Sequence, residues 1–343
     1  MASSYEPFSG SFKCALIQLE PKVKQILEKV LRPLDAEHNF AAASAHIREA
    51  AAQGASLAVL PEYHLSGWVP KDPGFATLAR TAYQYVPKYQ ELAKELKINI
   101  VPGTIVTVDP TSSAATTESN GTGPASSCAH PPALLNIAPF IAFTGEVLGS
   151  YTKANLWIPE RTVLTSGPDS VRQATSGSHH THTADEGPPK PHTVIETPLG
   201  PVGIVICWDL AFPESVRSLV RQGARIVIIP TFWTKDDLTP EALNYGPDVD
   251  AQFLKAALVT RSFENTCAVI FCNVGGPVDE GYTGLSRVVL PLVGPVQGSF
   301  EGNEAGMKIV EVDMRTVDVA EENYKIRQDL ARENWHYGYS HEK

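Results

Sequence analysis

The sequence predicts a layered α/β fold, and three observations support this. Short apolar runs typical of buried strands alternate along the chain with longer segments of helical periodicity. The 343 residues are 43% hydrophobic and 19% charged, which is enough apolar material for a large core. Strands and helices alternating at this spacing are typical of sheets covered by helices. Since α/β folds of this size are often single, we expect one domain over residues 1–343.

The chain begins with a predicted strand at 12–21, whose β-rich apolar pattern suits a half-buried position. A helix is expected over 38–54, because apolar side chains recur there at helical spacing. Asn39 is the expected N-cap of this helix and Gly54 its expected C-terminal stop.

The next segments continue the alternation of strands and helices. The run LAVLP predicts a buried strand that ends at Glu62. A helical stretch then leads to Leu96, and the run INIVPGTIVTV at 98–108 predicts the next strand.

Two hairpins follow in the middle of the chain. The first, ALLNIAPFIAFTGEVLGSYTK, turns at TGE, and its second strand leads to Lys153. The second, HTVIETPLGPVGIVIC, turns at PLG and leads to Cys207. After them, the pattern predicts the helix PESVRSLVRQG, the strand ARIVIIPTF, the helix DAQFLKAALVTRSFEN, the strand CAVIFCNVGG, the strands SRVVLPLVG and MKIVEVDM, and a polar helix near 316–333.

Two segments rich in Ser, Thr, Gly and Pro interrupt this pattern, at 109–132 and 168–192. Neither holds enough apolar surface to offset its ordering entropy, so we expect both to be mobile surface loops. The histidines at 179, 180 and 182 could bind a metal, but a flexible His-rich loop without nearby acidic ligands is more often incidental. We therefore expect no metal and no cofactor.

Charge and cysteine content limit the class of protein. The net charge of −10 argues against nucleic acid or an anionic membrane as a main partner. No run of 18 apolar residues and no secretory leader are evident, so no membrane span is expected. Five cysteines without CxxC spacing fit a reducing, cytoplasmic setting better than a disulfide framework or a zinc site.

Three residues capable of chemistry each follow a predicted strand: Glu62, Lys153 and Cys207. A carboxylate can take the proton of a thiol and make it a nucleophile. A lysine ammonium, aided by a backbone N–H such as that of Trp208, can stabilise a developing oxyanion. If the strand ends converge, this trio forms an acyl-transfer site that needs neither histidine nor metal.

Each of these residues also has a purely structural interpretation. A lone cysteine in an apolar run is most often core packing, although a strand end before a helix is also where a thiolate is stabilised. Glu62 could sit at a helix entry, and Lys153 could be a solvated strand end. Three such residues at three strand ends favour the functional interpretation.

Three segments carry these residues: LAVLPEYHLSGW, GSYTKANLWIPER and GIVICWDLAFPE. They are similar to the glutamate, lysine and cysteine motifs of the nitrilase superfamily of carbon–nitrogen hydrolases, which the chain resembles. The motifs occur in the order of the family. VTRSFENTCAVIFCNVGG and GLSRVVLPLVGPV resemble its later segments, so the likeness covers most of residues 12–315.

The resemblance implies a four-layer αββα sandwich, commonly assembled into homodimers or higher homo-oligomers. It implies that Glu62 is the general base, Lys153 the oxyanion stabiliser and Cys207 the nucleophile. Glu160 would be the second carboxylate that many members place shortly after the lysine; a simple ion pair with Arg161 is the alternative.

The substrate is less clear than the reaction. CWD…FPE is closer to the amidase and carbamoylase branches, whereas the Glu-Arg pair after the lysine resembles the nitrilases. We expect a small amide or N-carbamoyl substrate, with a nitrile as the alternative. Aromatic residues beside the motifs could line an apolar substrate pocket, although such residues are often only core: Tyr63, Trp157, Trp208 and Trp233.

Two weaker signals concern the surroundings of these motifs. His64 could donate a hydrogen bond to substrate or could be a satisfied structural histidine. The acidic segment 234–250 could shape an entrance that favours an amine-bearing substrate. Two other classes compete with a free-standing hydrolase: a catalytically silent binding protein, and an ammonia-supplying domain. The presence of all three residues disfavours the first, and the lack of a P-loop disfavours the second.

Overall fold

The computed structural model describes residues 10–22, 35–108, 133–167, 192–235 and 238–337. Two β-sheets form the centre of this part of the chain. The first sheet has the strand order β13-β1-β2-β3-β5-β4, with β6 paired to β5. Its strands are β1 (Ser11–Gln18), β2 (Leu57–Val59), β3 (Asn99–Val101), β4 (Ile105–Val108), β5 (Leu134–Ile141), β6 (Val147–Thr152) and β13 (Gly306–Asp313).

The second sheet has the order β12-β11-β10-β9-β8-β7. Strands β8, β9 and β10 run parallel, and antiparallel strands complete both edges. Its strands are β7 (Ile195–Thr197), β8 (Gly200–Ile204), β9 (Ile226–Pro230), β10 (Ala268–Cys272), β11 (Arg287–Leu290) and β12 (Gly294–Pro295).

Helices cover the outer faces of both sheets, which confirms the expected αββα sandwich. Helices α1 and α3 pack on the first sheet, and α4 and α6 pack on the second. The α-helices of the described residues are α1 (Ala36–Ala52), α2 (Pro73–Thr81), α3 (Tyr85–Leu96), α4 (Pro213–Arg221), α5 (Pro240–Tyr245), α6 (Val249–Phe263), α7 (Arg315–Tyr324) and α8 (Ile326–Leu330). Within those residues, no helix is both long and apolar enough to traverse a bilayer.

Strand β1 shows why the sheets stack. Its residues alternate between two cores: Cys14 and Leu16 belong to the core between the sheets, while Ala15 and Ile17 belong to the core beneath α1 and α3. A strand buried on both faces reads as one continuous apolar run. The sheets meet closely, since the Cys272 thiol of β10 donates to the Val59 carbonyl of β2 at 3.1 Å.

The expected strand over 98–108 is instead two strands, β3 and β4. The break falls at Pro102, which has no N–H to donate, and at Gly103, whose φ is +62°. A Cβ at Gly103 would lie 1.8 Å from the Pro61 carbonyl oxygen, so only glycine allows the two segments to approach beside Glu62.

Two helix boundaries also differ from expectation. Asp35, rather than Asn39, caps α1 by accepting from the His38 N–H, and Asn39 lies within the helix, where it donates to the Leu65 carbonyl at 2.9 Å. The expected helix near 316–333 is divided into α7 and α8 at Lys325, whose φ is +58°. The expected mobile loops and the His179–His182 cluster lie outside the described residues, apart from the last residue of the second loop.

Candidate active site

Strand ends place the three sequence-predicted residues in one cavity. Glu62 follows β2 and Lys153 follows β6, both in the first sheet, whereas Cys207 follows β8 in the facing sheet. Cys207 has a left-handed backbone conformation with φ +47° and opens a short 3₁₀ helix, Cys207–Ala211. Non-glycine residues rarely adopt this conformation, and those that do cluster at functional sites.

Glu62 is fully buried and accepts three hydrogen bonds. Its Oε1 accepts from Lys153 Nζ at 2.9 Å and from Asn136 Nδ2 at 2.8 Å. Its Oε2 accepts from the Phe232 backbone N–H, just after β9, at 3.0 Å. These contacts come from both sheets and fix the carboxylate in a single orientation.

Lys153 bridges two buried carboxylates. Its Nζ donates to Glu160 Oε1 at 2.7 Å as well as to Glu62. Glu160 also accepts from the Tyr63 hydroxyl at 2.5 Å and from the Trp157 N–H at 2.8 Å. Burial opposes the charge of Lys153, but the Glu160 and Glu62 carboxylates outweigh it and raise the pKa of the ammonium. Glu160 therefore pairs with Lys153 rather than with Arg161, whose guanidinium donates to a backbone carbonyl.

Burial raises the pKa of Glu62 from its ordinary value to about 7, and the negative Glu160 adds to this rise. The Lys153 ammonium and a hydrogen bond with Cys207 act in the opposite direction. A carboxylate with a pKa near neutrality can both accept and return a proton at physiological pH.

Burial also raises the pKa of the Cys207 thiol, and the nearby Glu62 charge raises it further, while Lys153 lowers it. The sequence also allowed a thiolate stabilised by a helix N-terminus, but the surroundings of Cys207 oppose ionisation of the thiol. Helix α4 begins only at Pro213, and the residue before Cys207 is part of an extended segment. Reaction of this sulfur therefore depends on a base, and the Glu62 carboxylate lies in the same cavity.

The cavity that holds these groups has a volume of about 780 Å³. This volume suits a small organic molecule. The four aromatic residues expected in a substrate pocket all line it: Tyr63, Trp157, Trp208 and Trp233. Tyr63 has a second contact, since its hydroxyl is bonded to Glu160.

His64 does not line the cavity. It is fully buried, its Nε2 pairs with the Tyr89 hydroxyl at 2.7 Å, and burial lowers its pKa to about 3. Of the two interpretations left open by the sequence, these contacts favour the structural one.

Two site residues could not be found from the sequence. Asn136 lies on β5, and its carbonyl accepts from the Lys153 N–H at 2.9 Å while its side chain donates to Glu62. The only sequence signal was an amide inside the apolar run LLNIAPFI. The pairing register of β5 and β6 decides the position of Asn136, because it places this residue beside Lys153.

Asp209 is the other missed residue. Its Oδ2 accepts from the Ile206 N–H at 2.9 Å and from the Tyr151 hydroxyl at 2.8 Å. Its Oδ1 accepts from the Asn155 N–H and side-chain amide at 2.9 and 2.8 Å. Asp209 thus joins the turn that carries Cys207 to the segment that carries Lys153. An acidic residue two positions after the cysteine was its only signal.

Two stacked sheets between outer helices define the fold as an αββα sandwich of the nitrilase type. The chain belongs to the carbon–nitrogen hydrolase family, whose family model matches residues 13–321. It is therefore a hydrolase that acts on carbon–nitrogen bonds other than peptide bonds.

Curated relatives agree with this assignment, and a solved structure agrees with the fold. The chain is 24% identical over 318 residues to a probable nitrilase of Schizosaccharomyces pombe, covering 90% of this chain and 92% of the relative. It is 26% identical over 324 residues to a chloroplastic omega-amidase of Arabidopsis thaliana, covering 91% and 74%. The structure of Saccharomyces cerevisiae Nit3, of the nitrilase superfamily, matches with a TM-score of 0.66 at 20% identity, covering 94% and 97%.

Proposed function

We propose that the protein hydrolyses a small amide or N-carbamoyl compound through a covalent acyl-enzyme on Cys207, and releases ammonia. The observation that carries this proposal is the Lys153 ammonium held between two buried carboxylates in the cavity that Cys207 lines. Such an arrangement offers a base, a nucleophile and a positive charge to one bound molecule.

The reaction begins when Glu62 takes the proton of the Cys207 thiol as the sulfur attacks the carbonyl carbon. The carbonyl oxygen becomes an oxyanion, which Lys153 Nζ and the Trp208 backbone N–H stabilise. Glu62 returns the proton to the amide nitrogen, the carbon–nitrogen bond breaks, and ammonia leaves a thioester. Water, deprotonated by Glu62, then attacks the thioester; the acid leaves and the thiol recovers its proton.

Glu160 acts in this mechanism as a positioning residue. Its carboxylate holds the Lys153 ammonium in the cavity and is itself fixed by the Tyr63 hydroxyl and the Trp157 N–H. Such a fixed set of supports keeps the charge of Lys153 aimed at one point.

A nitrile is the second candidate substrate. The same thiol would add to the nitrile carbon and give a thioimidate, and the Glu-Arg pair after Lys153 and the probable nitrilase among the relatives favour this alternative. The omega-amidase relative favours the amide.

The test is an ammonia-release screen over three panels: short aliphatic amides, N-carbamoyl amines, and aliphatic and aromatic nitriles. We expect release from the first or second panel, with a covalent thioester visible by mass spectrometry after rapid acid quench. Release from nitriles alone would establish the second candidate. Release from none of the panels, by a folded protein, would contradict the proposed substrate classes.

The pH dependence of kcat/KM tests the role of Glu62. Because a base must be ionised and the pKa of Glu62 is about 7, kcat/KM should be low at acidic pH and rise as the pH passes through about 7. A pH profile that is already flat above pH 5 would contradict this role.

The Asn136→Ala variant sharpens this test. Asn136 donates to the ionised form of Glu62, so its loss should move the rising limb of the pH profile to higher pH. A structural role alone would lower the melting temperature without moving the limb. Asn99→Ala is the matched control, since Asn99 is a buried strand amide of the same sheet that donates to the Ser56 carbonyl.

We further propose a single-domain, homo-oligomeric protein of the cytoplasm that does not act on nucleic acid or membranes. The net charge of −10 supports the exclusion of polyanionic partners, and the free thiols at 14, 207, 267 and 272 are compatible with a reducing compartment. The family resemblance supports the oligomer.

A further inference from the structure

One wall of the cavity carries a carboxylate that the mechanism does not use. Asp250, in the first turn of α6, lines the cavity, and the Trp233 side chain hydrogen-bonds its carboxylate. Its Oδ2 has no hydrogen-bond partner among the described residues, although this oxygen is buried. Burial raises the pKa of Asp250, and the bond from Trp233 offsets this only in part. A buried oxygen without a hydrogen-bond donor is unfavourable, and a bound ligand can supply the missing donor.

Two indoles line the same cavity as this carboxylate. The rings of Trp208 and Trp233 both line the cavity, with their centroids 5.4 Å apart and their planes at 44°. Phe253, which lies on α6 as Asp250 does, packs against Trp233 with the two ring centroids 5.6 Å apart. The face of an indole attracts cations, and aromatic rings beside a carboxylate are a common way to bind ammonium groups.

The other charges that line the cavity favour the same ligand. Apart from Lys153, which is paired with two carboxylates, Lys71 is the one cationic side chain among the described lining residues, and it is exposed. Three further carboxylates line the cavity: Asp72, Asp250 and Glu280. Asp72 caps α2 by accepting from the Gly74 N–H. The cavity therefore has little to offer a substrate carboxylate.

We infer that the substrate carries a positively charged amino group at a distance from its scissile bond, and that Asp250 with the indoles of Trp208 and Trp233 recognises it. This inference rests on the proposed function, because it names the substrate class of the same cavity. An amine-bearing amide or N-carbamoyl amine fits both ends of the site: its carbonyl meets Cys207, and its ammonium meets Asp250.

The test compares three amides of similar length: 5-aminopentanamide, hexanamide and adipamate, which end in ammonium, methyl and carboxylate. Binding is measured by quenching of tryptophan fluorescence in the Cys207→Ala variant, so that it does not depend on turnover. We expect 5-aminopentanamide to bind at least about tenfold more tightly than hexanamide, and adipamate to bind most weakly. Equal binding of the first two amides would overturn the inference.

The Asp250→Asn substitution, made in the same Cys207→Ala background, should reduce the preference for 5-aminopentanamide over hexanamide to within about threefold. Glu241→Gln is the matched control, because Glu241 is an exposed carboxylate of the same segment that does not line the cavity. If Asp250 only stabilises α6, its substitution should lower the melting temperature and weaken all three amides alike. Since binding is read without hydrolysis, a failed ammonia screen and a failed amine preference remain distinct results.

Discussion

Replacing Cys207 with alanine is expected to lower kcat/KM by about 10⁴-fold or more, to the level of the remaining background. Alanine retains the Cβ atom and therefore the same backbone conformation, while it removes the only atom that can form the acyl-enzyme. The measurement is ammonia release with the substrate found in the screen, together with the melting temperature. Cys267→Ala is the control, because it removes a buried thiol that lies outside the cavity.

Alkylation gives a second test of Cys207, because it measures the reactivity of the thiol. Cys207 is 8% exposed and lines the cavity, whereas Cys14, Cys267 and Cys272 are 0% exposed. Burial raises the pKa of all four thiols, but among the described cysteines only Cys207 lines the cavity, where the buried Glu62 carboxylate can take its proton. Iodoacetamide should therefore label Cys207 first, as shown by peptide mass spectrometry. Equal labelling of all four would contradict a specially activated Cys207.

Glu62→Gln is expected to lower kcat/KM by about 10²–10⁴-fold and to remove the rising limb near pH 7, because an amide cannot take the thiol proton. Nitrogen donors face both oxygens of the Glu62 carboxylate, from Asn136 and Lys153 on one side and Phe232 on the other, so the new NH₂ must face at least one of them. This buried mismatch should also lower stability by about 1–3 kcal/mol. Urea unfolding measures this second effect.

Two variants separate chemistry from stability in this experiment. Glu62→Asp keeps an ionisable group and should retain a pH-dependent activity, although a weaker one because the shorter side chain reaches less far. Glu280→Gln changes an exposed carboxylate that lines the same cavity and should leave kcat within about threefold. If Glu62→Gln kept full activity with an unchanged pH profile, another group would have to be the base.

Much of the architecture could be predicted because strand runs and strand ends are local features. The apolar run before Glu62 and the two hairpins before Lys153 and Cys207 were evident in the sequence. The family resemblance predicted that the two sheets pack face to face. The sequence could not predict the break at Gly103, because the close approach to Pro61 arises only when distant segments meet.

The supporting residues of the site were the harder part to predict. Asn136 and Asp209 act through hydrogen bonds to groups far away in the chain, and those pairings depend on strand register and on the packing of one sheet against the other. The pKa of the Cys207 thiol also depends on tertiary packing. The sequence predicts a helix start shortly after Cys207, but a short 3₁₀ helix comes first, and burial is the largest influence on the pKa of the thiol and raises it.

The left-handed backbone at Cys207 implies that the protein gives up some thermodynamic stability for its reactivity. An L-residue in this conformation costs about 1–2 kcal/mol, which a glycine would largely avoid. Selection for folding alone would thus favour glycine at this position. In laboratory evolution for heat resistance without an activity requirement, Cys207 should be among the first residues to be replaced, with glycine the favoured replacement.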